Sequence, residues 1–417
     1  MSWRSQLGRV VILYLILGIL LRQIQHYSAQ DYRIPGGGPD IQHQLNWIGK
    51  KLRDGAGEST QAWYPEGFFF AHALYGYALV NQGLLNLEDE ALVRRNTEEI
   101  KWVLKKLDSE AGYAPIPRDQ AVRYGVFYQG WRNRLLGGLL LLQEEDGRDP
   151  AQEEQFHMQS EMLAQAFVQS PTFHLEAYPG GCWPVDNVIA LSSLLIHDDL
   201  YGTEYKDVVA HWLGYSHAHL DPQTGLIPHR IDAGSGQILQ GSRGSSLVLI
   251  LSFLPELDAE FASAQYIRFR ELYSRPVLDF VLTREYPRGV FGLPDVDSGP
   301  LVAGLSPVAS GVSLAAARAN GDDEIFERTV QLAELLGVPI SFGNEKRYSL
   351  GALMVGDAFL AWGKTILPWK KDARATERVI YPRLTPTFHG WSYLIALLLA
   401  VGIWIPFFRS RKKRVPM

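Results

Sequence analysis

A chain of 417 residues is long enough to bury one large core or two medium ones. Its 40 Lys and Arg against 45 Asp and Glu leave a net charge of −5, and no basic stripe precedes the last few residues, which excludes a nucleic-acid-binding surface. The single cysteine, Cys182, excludes an internal disulfide and any cysteine-based zinc site.

Residues 1–30 contain a short apolar run, Val10–Leu21, between Arg9 and Arg22. It reads as an N-terminal membrane anchor with snorkelling arginines, or as a signal peptide cleaved near Ala29. A Gly/Pro-rich linker, Pro35 to Pro39, follows.

From there to about residue 385 one unit repeats. A polar amphipathic helix is followed by a Gly/Pro/Tyr-rich loop and then by a more apolar helix rich in small residues. The predicted pairs are 40–53 with 67–82, 88–107 with 125–143, 152–169 with 186–197, 204–220 with 245–254, 259–282 with 307–320, and 323–336 with 350–364. Charged first members (KWVLKKLDSE) and apolar second members (VIALSSLLI) suit two concentric helical layers.

Residues 386–417 carry Trp391–Phe408, 18 residues without a charge, followed by the basic tail RSRKKR. At about 1.5 Å per residue such a run spans about 27 Å, close to a bilayer core of about 30 Å. The positive-inside rule then places the tail in the cytoplasm. The expected architecture is therefore all-α: residues 31–385 form an (α/α)6 toroid of six helical hairpins, flanked by N- and C-terminal transmembrane segments. The expected location is the cell membrane, with the toroid extracytoplasmic.

Loop length indicates where chemistry lies. Connections leaving the apolar helices are short, such as LLNLED, whereas those entering them are long, such as PTFHLEAYPGGCWPV. Six long loops on one rim make a funnel into which helix N-termini point. Tyr178–Asn187 (YPGGCWPVDN) puts Asp186 beside Trp183 and Tyr178, either as a helix cap or as a desolvated general acid or base. Trp63–Gly67 (WYPEG) supplies Glu66 beside Tyr64, a second carboxylate at a helix start. Two carboxylates across a pocket suit glycosidic cleavage.

The loop 227–246 holds His229, a proton shuttle or a loop fastener, with Arg230 and an Arg243 placed between Gly241 and Gly244 to reach a ligand oxygen or hold an acid. Tyr128, Trp131 and Arg132 open another apolar helix near the funnel, and Cys182 and Asn187 line the Asp186 loop. Asp295 and Asp297 (GLPDVDSG) form a D-x-D turn; Asp295 is read as substrate-binding, with no metal or cofactor assigned.

Two segments, FYQGW (127–131) and YPGGCWPVDN (178–187), resemble motifs of the linalool dehydratase/isomerase family, whose catalytic domain is an (α/α)6 barrel. The resemblance implies the architecture and a site built by these loops. Where that family has a motif histidine this chain has Trp131, and where it has a second loop cysteine this chain has Asp186, so its thiol and imidazole chemistry does not carry over. The ring also resembles six-hairpin glycosidases and polysaccharide lyases, an analogy of fold alone. The leading expectation is a membrane-anchored, carbohydrate-active hydrolase or lyase using Asp186 and Glu66, with His229 as shuttle. The alternatives are a hydro-lyase or isomerase acting on an isoprenoid or lipid alcohol, and a non-catalytic binding protein of envelope biogenesis.

Overall fold

The computed structural model describes residues 3–29, 38–203, 205–277, 280–370 and 393–403. After α1 (Trp3–Ala29) come α2 (Gly38–Arg53), the short α3 (Ala56–Gln61) and α4 (Gly67–Leu85). Next are α5 (Glu90–Leu107), the single turn α6 (Glu110–Tyr113) and α7 (Gly125–Leu141). Four further pairs follow: α8 (Pro150–Gln169) and α9 (Pro184–Tyr201), α10 (Lys206–Ala218) and α11 (Gly244–Leu257), α12 (Ala259–Tyr273) and α13 (Pro307–Ala319), α14 (Asp323–Leu336) and α15 (Met354–Thr365).

The division into layers follows from composition. Helix α5 buries one stripe (Leu92, Ile100, Val103, Leu104, Leu107) and shows solvent its charges, with Asp89 capping its start by accepting from Leu92 N at 3.0 Å. Helix α4, by contrast, is buried at every residue from Gly67 to Leu84, and α7 from Gly125 to Leu140. Such helices need neighbours on all sides, and they find them. The inner helices pack in the order α4, α7, α9, α11, α13, α15, and α15 returns to α4, so the inner layer closes on itself. Small residues set the spacing: a Cβ on Gly130 of α7 would stand 2.7 Å from the Ala190 Cβ of α9.

One end of this ring is plugged. Arg134 donates to Glu256 through both terminal nitrogens (2.7 and 2.8 Å) and lies 4.2 Å from the ring centre of Trp369. The Trp369 indole donates to Asn81 Oδ1 at 2.6 Å. Asn81 and Glu256 lie toward the C-terminal ends of α4 and α11, so the plug sits away from the helix N-termini.

Among the described residues no helix is long and apolar enough to cross a membrane. This corrects the expectation of flanking transmembrane segments, and removes the basis for a cell-membrane, extracytoplasmic placement. The physical reason is visible in α1: of its 27 residues only Val10–Leu21 form an unbroken apolar run, about 18 Å long at 1.5 Å per residue, and the helix packs against α14. Within Trp391–Phe408 residues 393–403 are helical; the remainder, with the basic tail Arg409–Arg414, lies outside the described residues.

A second correction concerns the helix expected over 259–282. It ends at Tyr273, and the antiparallel hairpin β3–β4 (Ser274–Val277 and Phe280–Thr283) follows. Pro276 has no N–H to continue a helix, and Val277, Val281 and Thr283 favour extended backbone. A shorter hairpin from Arg230–Ile231 and Ile238–Gln240 stiffens the loop before α11, and another, Ile340–Phe342 with Glu345–Arg347, the loop before α15.

Candidate active site

The open end of the ring gathers the N-termini of the inner helices, and two of those starts carry the central carboxylates. Pro184 occupies the first turn of α9, where its missing N–H costs nothing, and Asp186 follows two residues later. Asp186 does not cap the helix; that position belongs to Trp183 and has no side-chain bond. Instead the Trp131 indole of α7 donates to Asp186 Oδ1 at 3.3 Å. Asp186 is only 8% exposed, and burial pushes its pKa up to about 7, with Asp297 and Glu66 adding to the push while the Trp131 bond opposes it.

Glu66 stands at the N-cap position of α4, also without a capping bond. Its Oε1 accepts from the Tyr178 hydroxyl at 2.8 Å, which joins the loops before α4 and α9. Tyr64 stacks on Phe70 at 6.0 Å with an interplanar angle of 5°. Burial raises its hydroxyl well above the usual tyrosine range, and the charges of Asp297, Glu66, Asp186 and Asp295 raise it further. Four carboxyl groups from three separated loops thus act electrostatically on one phenol.

Aromatic rings form the floor and wall. Phe70 meets Trp131 edge-on at 5.2 Å and Phe359 at 5.8 Å, Phe127 stacks with Tyr178 at 6.1 Å, and Tyr178 meets Trp183 edge-on at 6.0 Å. The rim is open: Trp63, Asp295 and Asp297 are exposed. Asp297 keeps contact with solvent, yet desolvation by the surrounding mouth pushes its pKa up to about 6, helped by Asp295 and Glu66 and opposed by Arg243. Partial burial acts on Asp295 in the same sense, but bonds from Arg243 and Ser298 outweigh it and hold its pKa below the ordinary value.

Arg243 has its charge answered within the protein. Its Nε donates to Glu285 Oε1 at 2.8 Å and its Nη1 to Asp295 Oδ2, while Glu285 also accepts from Ser245 N and Oγ. The expected role in holding an acid fits this geometry, while its Nη2 is buried and donates to no partner. Arg230 donates to Gly180 O at 2.8 Å and lies 5.3 Å over the Trp183 ring.

Several expected site residues serve the scaffold. Both nitrogens of His229 are engaged, Nδ1 with Ser246 Oγ at 2.5 Å and Nε2 as acceptor from Trp183 Nε1 at 3.3 Å. Burial, then the nearby Arg243 charge, pulls its pKa down to about 3, so it stays neutral and steadies Trp183 rather than shuttling protons. Cys182 is buried, its carbonyl accepts from Ile231 N at 3.1 Å, and burial raises its thiol far above the reactive range. Asn187 clips the loop, accepting from Leu175 N at 2.7 Å and donating to Trp183 O at 2.9 Å.

Tyr128 and Arg132 turn outward from α7. The Tyr128 hydroxyl donates to Asp108 at 3.0 Å, and Arg132 clamps the same carboxylate, so both side chains are engaged away from the Asp186 loop. Helical period explains this: Trp131 and Arg132, adjacent in sequence, are about 100° apart around the axis.

Phe70 and Glu285 carry no site signal in the sequence, and Asp297 and Phe127 stand in segments whose other residues are the ones assigned to the site. Asp297 carries a signal in the sequence, since a D-x-D pair in a long funnel loop offers two acids. Among the described residues no group of three His, Cys, Asp or Glu is placed to hold a metal ion. No family model matches the chain.

Proposed function

We propose that this chain cleaves a glycosidic bond by acid–base chemistry at the open end of the ring. Asp186 carries the acid role: with its proton retained to about pH 7, it can protonate the leaving oxygen as the C–O bond breaks and the electron pair moves to that oxygen. Glu66, oriented by the Tyr178 hydroxyl, receives the proton of the attacking water or meets the developing positive charge at the sugar carbon. Tyr64, Tyr178 and Trp183 offer faces for sugar stacking, and Trp131 steadies the acid.

The observation that most favours this reading is one desolvated carboxyl, Asp186, that feels a second carboxyl, Glu66, at the end of the ring where the inner helices begin, next to the half-buried rings of Tyr64, Tyr178 and Trp183. The test is turnover of polysaccharide fragments by the wild type and Asp186→Asn. Release of reducing ends by the wild type, reduced at least about a hundredfold in the variant, supports the assignment. Unchanged turnover removes it. The phenyl rings of Phe70, Phe127 and Phe359 favour a second reading, dehydration or isomerisation of an isoprenoid alcohol over the same acid. Prenyl alcohols assayed alongside decide between the two.

A further inference from the structure

A second hollow lies on the outside of the ring, between α5, α7 and α8, with a volume of about 500 Å³. That is within the span of small-ligand sites, roughly 300–1,000 Å³. Each helix turns one stripe toward it: Lys101 and Lys105 from α5, Arg132 and Leu136 from α7, Gln152 from α8. Residues four apart on a helix share a face, so the two lysines line one wall and the Arg132–Leu136 pair forms the floor.

The charge is one-sided. Asp108 is the hollow's carboxylate, and Arg132 neutralises it through bonds of 2.5 and 2.7 Å. Lys101 leans on Glu98 at 2.8 Å at an exposed surface, a contact that water and salt weaken. Lys105 is exposed at the rim. A local positive excess of this kind stands out on a chain of net charge −5. The opposite wall supplies a different chemistry: Gln152 Oε1 is buried and accepts no hydrogen bond. A buried amide oxygen of that kind is costly unless a donor meets it.

An anion for the lysines and a hydroxyl donor for Gln152 belong together in one kind of molecule. We infer that the α5–α7–α8 hollow is a binding site for an anionic sugar unit, carrying a carboxylate or a phosphate. It lies apart from the mouth that holds Asp186 and Glu66, and the inference does not rest on the cleavage reading.

The test is calorimetric or NMR titration of the intact chain with D-glucuronate, glucose 6-phosphate and glucose. Binding of either anionic sugar at least tenfold tighter than glucose is expected, and which one binds tells carboxylate from phosphate. Lys105→Glu should weaken that binding by about fivefold or more, and added salt should weaken it further. Gln152→Leu should weaken binding of the anionic sugar but not of inorganic phosphate, because it removes the hydroxyl acceptor and leaves the cations. Both positions are at least partly exposed, so both variants should fold, which circular dichroism checks. Equal binding of glucose, no binding of either anion, or an unchanged affinity in Lys105→Glu overturns the inference. Because no turnover is measured, such a failure leaves the cleavage proposal standing.

Discussion

Asp186 is a carboxyl group with little water and one indole donor, and it holds its proton to about pH 7. In an unfolded chain the same side chain titrates at about the ordinary aspartate value of 3.8. Between those values the folded form binds the extra proton, so stability falls as pH rises through roughly 4 to 7. Asp186→Asn should flatten that slope in urea titrations at pH 5 and pH 8, leaving the variant the more stable of the two at pH 8 by up to a few kcal/mol. Trp131→Phe removes a donor that favours the ionised form. The pKa should rise, and the alkaline limb of the activity profile should move to higher pH. A desolvated thiol is a poor nucleophile, so Cys182→Ala should leave turnover within about threefold. A loss of several orders of magnitude would instead bring back the thiol chemistry of the linalool dehydratase/isomerase resemblance.

At the scale of elements, the site depends on how each inner helix begins. Helix α7 starts at Gly125 with φ 71°, and Val126 N donates to Glu176 O at 2.9 Å, which ties the helix to the loop before α9. A Cβ at Gly125 would stand 2.1 Å from Ala177 O. Gly125→Ala therefore meets both an unfavourable φ and a backbone collision. We expect a loss of about 2–4 kcal/mol in chemical denaturation, with a lowered turnover because Trp131 and Asp186 shift relative to one another. The hairpin β3–β4 does similar work from the other side: Ser306 N donates to Thr283 O at 2.9 Å at the start of α13, and Arg243 and Glu285 hold the loop that carries Asp295 and Asp297.

For the whole molecule, closure matters more than any single helix. Six largely apolar helices, two of them buried almost end to end, need neighbours on several sides, and the ring satisfies all of them at once. The plug of Arg134, Glu256 and Trp369 fills the end opposite the site with a paired charge rather than with apolar packing. Removing one partner leaves the other charge buried, so Arg134→Met should cost about 3–5 kcal/mol in thermal or urea unfolding. Arg134→Met combined with Glu256→Leu should recover much of that loss, because no orphaned charge remains.

The alternation of charged and apolar helices was legible residue by residue, because burial on one side or on all sides leaves a periodic trace in composition. Helix starts were legible to within a few residues: α13 begins at Pro307, where the pattern puts it, whereas α9 begins at Pro184, two residues before the Asp186 start that the pattern suggests. Two apolar terminal runs suggested membrane spans, and length together with flanking charge withholds that role from α1. What only the tertiary structure decided is which side chains share a volume. Local pattern cannot tell that Arg132 turns to Asp108 while its neighbour Trp131 turns to Asp186, that both nitrogens of His229 are occupied, or that the charges of Asp297, Glu66 and Asp186 all act on Tyr64. Secondary structure answers to neighbours a few residues away, which the sequence contains directly. A site made by loops before α4, α9 and α13 depends on ring closure, and its electrostatics depend on burial that no single segment possesses.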